Sequence, residues 1–246
     1  MVKKITPILQ ARMGATRLPG KVLMQVCGDS MLAHIVRRVT CQKTAALTHP
    51  VVATTISPVD DAIEAECARL GVQCSRGSED DVLSRFYKAA MEHGAEHIMR
   101  ICCDNPMLDL KILSELVKFY QENKFTYVAN SQTPLGLAAE VFTFTRLEEA
   151  HLYGKKTYHR EHVTPFMYES GIDCGCLAFE PNLSHLRFTV DTLEDFVFIT
   201  KVYEALYKKS PEFGLDEVLE LLRAQPELLE INKEIEQKKV NELSPM

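Results

Sequence analysis

Short apolar runs along this chain alternate with stretches in which apolar residues return every three or four positions. Residues 5–10 read as a first strand, although Pro7 suits a strand end or an irregularity better than a central ladder position. Ser30 then caps a helix whose Met31, Leu32, Ile35, Val36 and Val39 form one apolar stripe. Residues 51–55, rich in β-branched side chains, make a second strand. Asp60 and Asp61 open a helix that runs to Leu70 and stops at Gly71, since acidic residues suit the positive end of a helix and glycine its exit. A brief strand over 72–74 follows, and Ser78, with Asp81 three residues on, begins a helix that reaches His93 before Gly94. Residues 97–102 are the next strand, and Asp109 starts a helix with Ile112, Leu113, Leu116, Val117 and Tyr120 on one face.

Strand–helix alternation of this kind, sustained to about residue 125, predicts an α/β fold with a mostly parallel sheet and helices on both faces. Ligands of such sheets sit beyond the carboxyl ends of the strands. That rule lines up the loop at 12–21, the turn at 54–60 and the segment at 103–106 along one edge. The second half is less regular: strands at 127–130 and 140–144 around a turn at 134–136, a short helix at 160–168, strand candidates at 177–179 and 186–190, and an amphipathic helix over 193–207. From Pro226 the chain turns polar and charged, and its last ten or so residues are expected to be loosely held. With no internal repeat and no low-complexity linker, residues 1–232 read as one domain and 233–246 as a charged tail.

Composition narrows the partners. Of 246 residues, 46% are apolar and 25% charged, which is ordinary for a soluble globular protein. A formal charge of −6 argues against a nucleic-acid binder, whose affinity would come from a basic face. No apolar run reaches the ~18 residues of a spanning helix, and no apolar stretch follows Lys3 and Lys4 as a signal peptide would require, so the expectation is a cytoplasmic protein without a membrane partner. Eight cysteines form no C-x-x-C pair. Cys174 and Cys176 would point the same way on a strand, as a metal or redox pair does, against the plainer reading of reduced thiols used as small core residues.

The chemistry concentrates in residues 9–21, where Arg12, Arg17 and Lys21 share one loop with Gly14, Pro19 and Gly20, directly after an apolar strand. Glycines let backbone N–H groups converge on a ligand, and fixed cations hold phosphate oxygens, so the natural guest is a nucleoside triphosphate. Asp104, just past the strand at 97–102, sits where a Mg²⁺ ligand would face that loop, or else it makes an Asp-Asn-Pro turn with its own backbone. Asp191 is the second acidic candidate; either it or Thr192 could instead cap the helix that follows. Two carboxylates and several cations suit metal-assisted nucleotidyl transfer, in which positioning dominates and no protein nucleophile is needed.

Five segments carry a family resemblance: the loop at 9–21, the run Arg76-Gly77-Ser78-Glu79-Asp80-Asp81-Val82-Leu83-Ser84-Arg85-Phe86, residues 136–144, Arg160-Glu161-His162-Val163-Thr164-Pro165, and residues 187–195. They resemble the cytidylyltransferases of the spore-coat-polysaccharide F type, relatives of the CMP-sugar synthetases that activate 3-deoxy-manno-octulosonate and sialic-type acids. The resemblance runs in order from Ile5 to about Asn232. It implies a three-layer nucleotide-diphospho-sugar-transferase fold, CTP as donor, Mg²⁺, a small sugar or sugar acid as acceptor for surface polysaccharide, and a homodimer with residues 126–176 contributing to the sugar site and dimer contacts. Carried over, Gln10, Ala11, Arg12, Gly14, Arg17 and Lys21 would surround the triphosphate, with Arg12 and Lys21 also catalytic. Thr54, Thr55, Arg76, Gly77 and Ser78 would lie around cytosine and ribose. Asp104 and Asp191 would hold the metal, and Glu140, Arg160 and His162 would meet the sugar, His162 being alternatively a partly buried hydrogen-bonding histidine of the structure. The family usually has Gly-Asp where this chain has Cys103-Asp104, which would crowd the nucleotide, and an acidic residue within the stretch of Ala138-Ala139, which points to an altered sugar pocket. Two other functions compete. A glycosyltransferase on a similar fold would want an Asp-x-Asp motif, whereas the paired acids here are Asp60-Asp61 and Asp80-Asp81; a non-catalytic nucleotide-binding module would bind CTP without turnover.

Overall fold

A computed structural model of the chain describes residues 2–42 and 44–237; the expectation of a loose terminus falls on residues 238–246, outside the described ones. The strands in chain order are β1 (Ile5–Gln10), β2 (Gln25–Val26), β3 (Asp29–Ser30), β4 (Val51–Thr55), β5 (Gln73–Gly77), β6 (His97–Cys102), β7 (Tyr127–Ser131), β8 (Glu140–Thr143) and β9 (Cys174–Ala178). The helices are α1 (Met31–Cys41), α2 (Asp61–Leu70), α3 (Val82–Glu92), α4 (Leu110–Glu122), α5 (Phe144–Tyr153), α6 (Thr157–His162), α7 (Pro165–Glu169), α8 (Leu193–Leu206) and α9 (Leu215–Ala224).

Seven strands form one sheet in the order β5-β4-β1-β6-β8-β7-β9, while β2 and β3 make a separate small hairpin. β5, β4, β1 and β6 run parallel, and in chain order β1, β4, β5 and β6 are each linked to the next by a segment carrying a helix. β8 then enters antiparallel between β6 and β7. Helices cover both faces of this mixed, mostly parallel sheet, giving three layers. On one face Leu32, Ile35 and Val36 of α1 and Leu113 and Leu116 of α4 join Leu9 and Val52 in one cluster. On the other, Leu83 and Phe86 of α3 and Leu147 of α5 meet Ile8, Ala53 and Ile98. Burying each such leucine, isoleucine or phenylalanine contributes about 1.5–3 kcal/mol, which is what fixes the register of the sheet.

Several boundaries differ from the sequence expectation for identifiable reasons. Pro7 is inside the central strand after all. Ile5 exchanges its backbone bonds with Ala46 and Thr48, so by alternation Pro7 faces the same neighbour, just ahead of the first β1–β4 ladder pair at Ile8 and Val51, where no N–H is needed. β5 extends to Gly77 because it follows β4 in register from Val51–Gln73 to Thr55–Gly77, so Arg76 and Gly77 are strand residues. α3 starts four residues later than expected: Asp81 caps it by accepting from the Ser84 N–H at 2.8 Å, and Ser78 Oγ accepts from the Asp81 N–H in the preceding turn. The helix expected over 160–168 breaks into α6 and α7 at Val163, whose φ is 70°, just before Pro165. Residues 186–190 are not a strand of the sheet. They make one bridge, Leu135–Arg187, and Val190 N–H donates to the Asp104 carbonyl at 2.8 Å. Gly136 permits this approach: at φ 104°, any Cβ there would stand 2.6 Å from the Thr189 nitrogen.

Candidate active site

The loop after β1 folds back on itself before it reaches Lys21. The Met13 carbonyl accepts from the N–H groups of Ala15 (2.9 Å) and Gly20 (2.8 Å), with Gly20 at φ 73°. On one side the loop is stapled to the end of β4 by Asp60. That carboxylate is 1% exposed and accepts from Met13 N–H (2.8 Å), Thr54 Oγ1 (3.1 Å), Thr55 N–H (3.1 Å) and Thr55 Oγ1 (2.5 Å). Thr54 and Thr55 are therefore buried supports of the loop.

On the other side the loop ends in Lys21, whose ammonium is nearly buried and donates to Asp104 Oδ2 (3.1 Å), the Val190 carbonyl (2.7 Å) and Asp191 Oδ1 (2.9 Å). One cation thus gathers two acids that lie 87 positions apart in sequence. Burial works against the Lys21 charge, but the carboxylates of Asp104 and Asp191 outweigh it and hold the ammonium above its ordinary value. Asp191 is likewise desolvated, yet Lys21, Arg17 and Arg187 hold its carboxyl below the usual range; Arg17 and Arg187 both reach Oδ2 at 2.9 Å. Capping of α8 falls to Thr192, in a capping box with Asp195, which leaves the Asp191 side chain to the site. Buried Asp195 in turn grips Arg187 at two points, 2.8 Å each, and so aims that guanidinium at Asp191.

Arg17, Lys21, Asp104 and Asp191 wall a cavity of about 330 Å³, together with Gln10 and Arg12. Arg12 makes no hydrogen bond or ion pair among the described residues, so its charge is available to a ligand. Gln10, Arg12, Arg17, Lys21, Asp104, Asp191 and His162 are the sequence-derived candidates that the fold brings to this one space. Ala15, Thr16, Val22, Cys102, Glu161 and Gln237 line it as well, and the sequence had not singled them out for it. Cys102 is a neutral thiol there, pushed up to about 11 by burial.

The other candidates lie elsewhere. Ala11 is in the core, its N–H on the Ala53 carbonyl, and Gly14 is exposed beside Glu79. Arg76, Gly77 and Ser78 border a separate surface hollow with Ile56 and Lys88; the Arg76 guanidinium is taken by Asp61 and Glu64, 2.7 Å each. Arg160 pairs with Asp81 and donates to the His151 carbonyl, tying α6 to α3 and α5. Glu140 does not line the cavity, and both its oxygens are engaged, by Arg100 and by the Tyr127 hydroxyl at 2.6 Å each. Cys103 is 1% exposed in the core, so it does not crowd the cavity, and Ala139 is also core, its N–H on Asn130 Oδ1. The cysteines form no disulfide among the described residues; Cys174 donates to backbone carbonyls and Cys176 to Ser131 Oγ. No described helix is long and apolar enough to cross a membrane. Residues 233–237 continue past the domain end expected at 232 to reach the site: Arg17 donates to the Glu236 carbonyl and Arg187 to Gln237 Oε1.

Known proteins share this arrangement of chain. Residues 6–241 match the family described as Cytidylyltransferase. An uncharacterized protein of Methanocaldococcus jannaschii is 37% identical over 98% of this chain and 99% of its own length. The spore coat polysaccharide biosynthesis protein SpsF of Bacillus subtilis is 33% identical over 89% of this chain and 94% of its own. Among solved structures, a cytidylyltransferase from Leptospira borgpetersenii superposes with a TM-score of 0.87 at 27% identity, covering 96% of this chain and 100% of that one. The chain belongs to the cytidylyltransferase family and is a nucleotidyltransferase enzyme.

Proposed function

We propose that this cytidylyltransferase moves CMP from CTP to a sugar acid or related small sugar, with release of pyrophosphate, in the building of a surface polysaccharide. The observation that carries the reading is Lys21 spanning Asp104 and Asp191, with Arg17 bound to the same Asp191 and the unpaired Arg12 facing the same cavity. A ligand there meets three cations and two hard-oxygen anions, the chemistry of a triphosphate tail. Arg12, Arg17 and Lys21 would hold the phosphate oxygens; Arg17, only partly buried, can exchange its Asp191 partner for phosphate. Asp104 and Asp191 fit Mg²⁺ as its protein ligands, because that ion takes one or two carboxylates and completes its shell with substrate phosphates and water. Bound there, Mg²⁺ would neutralise charge on the phosphates as pyrophosphate leaves. The protein's share is positioning and electrostatics: the Asp60 staple and the Lys21 bridge fix both ends of the loop before substrate arrives. Support for the sugar comes from the name and near-full-length similarity of the Bacillus subtilis relative.

Incubation with CTP, Mg²⁺ and a panel of 3-deoxy-2-keto sugar acids should release pyrophosphate; silence across the panel overturns the reading. It carries with it a cytoplasmic homodimer, for which light scattering should return twice the monomer mass of 27.8 kDa.

A further inference from the structure

Resting on the cytidylyl-transfer reading, we propose that His162 is the general base that takes the proton of the attacking acceptor hydroxyl. Its ring lines the same cavity as Lys21, Asp104 and Asp191. The charges that bear on it are those of Glu161 beside it, Arg100 on β6 and Glu140 on β8. In-line transfer at the α-phosphorus needs the acceptor to enter opposite the leaving pyrophosphate. With Arg12, Arg17 and Lys21 holding the leaving end, the proposal puts the acceptor hydroxyl against Glu161 and His162, which line the cavity without taking part in that cationic grip.

The other acids near the path are committed. Asp104 and Asp191 are on Lys21, and Glu140 has both oxygens taken by Arg100 and Tyr127. On the elements packed against α6, Asp81 is held by Arg160 and Glu169 by His159, Tyr158 and Lys156. His162 is uncommitted: its buried Nε2 has no hydrogen-bond partner, and Nδ1 makes no hydrogen bond among the described residues, so Nδ1 is the atom open to a substrate proton. Burial, with the Arg100 charge, holds the imidazole below its ordinary value and so keeps it neutral and proton-accepting at pH 7, while Glu161 favours the imidazolium as it forms. In the step, the acceptor oxygen bonds to the α-phosphorus as the bond from that phosphorus to the bridging oxygen breaks. The bonding pair leaves with pyrophosphate, and the hydroxyl proton passes to Nδ1 and then to water.

The test compares wild type, H162Q and H162N with CTP, Mg²⁺ and the sugar acid of the panel that turns over, by pyrophosphate release from pH 5 to 9 and by calorimetry of CTP alone. Wild-type kcat should fall on the acid side with an apparent pKa below the ordinary histidine value. Both variants should bind CTP as wild type does, lose about a hundredfold or more in kcat, and lose that acid limb. E161Q should keep the limb, moved to lower pH. Wild-type kcat and an intact limb in H162Q overturn the assignment, as does a limb that vanishes in E161Q alone. Should neither histidine variant fold, a wild-type kcat flat through the acid range overturns it and an acid limb supports it. Silence of the wild type over the whole panel is a different failure: it brings down the functional reading and this inference with it.

Discussion

Asp60 and the Asp104–Asp191 pair grip the same loop from two sides, on different terms. Asp60 is saturated by the loop's own Met13 N–H and by the end of β4, with nothing left over for a ligand. Asp104 and Asp191 are held instead by side-chain cations, Lys21 on both and Arg17 and Arg187 on Asp191, and open onto a cavity beside the unpaired Arg12. Backbone and hydroxyl donors fixed in a sheet cannot be traded for substrate, whereas a side-chain ion pair at a cavity wall can. Saturation by backbone and hydroxyl donors marks the structural acid; pairing with side-chain cations at a cavity wall marks the functional ones.

The sharpest way to break this contrast is at the pair. Asp104→Asn should fold normally yet lose about a hundredfold or more in kcat, since it removes one placed electrostatic group; wild-type pyrophosphate release would erase the distinction. At the staple the loss should appear as stability. Asp60→Ala orphans buried donors on Met13, Thr54 and Thr55, each worth about 1–3 kcal/mol, so urea unfolding should register a loss of about 3 kcal/mol. Midpoints unchanged from wild type would show that the loop does not depend on it. Arg12→Ala should weaken CTP binding about tenfold, roughly 1.4 kcal/mol, with the melting temperature unmoved because no partner is lost. The smallest effect belongs to Arg76→Ala, whose charge is already spent on exposed Asp61 and Glu64: calorimetry should find the CTP affinity of wild type, and a tenfold loss would return Arg76 to the nucleotide site.

That last variant marks where reading the chain stopped working. Arg12, Arg76 and Arg160 look alike as cations in glycine- or acid-rich motifs, but Asp61, Glu64 and Asp81 neutralise two of them and leave Arg12 free. Asp60 read as a helix-start acid because it stands beside Asp61; only the folded loop shows its carboxylate turned away from α2 toward Met13. Nothing in the sequence sets Glu161 apart from its neighbours, and its place on the cavity wall depends on the break at Val163.

By itself the sequence determined the alternation of strands and helices to residue 125, the caps at Ser30 and Asp109, and the cationic loop behind β1, while leaving the cap of α8 open between Asp191 and Thr192. Each of these is set within a few residues, by side-chain period, by an oxygen reaching an N–H three positions on, or by glycine at positive φ. Tertiary structure alone decided that β8 enters the sheet antiparallel, that Lys21 meets Asp104 and Asp191, and which cations remain unspent. Those outcomes hang on contacts across 40 to 170 positions, where charge and hydrogen-bond partners are chosen by how the layers pack and not by local preference.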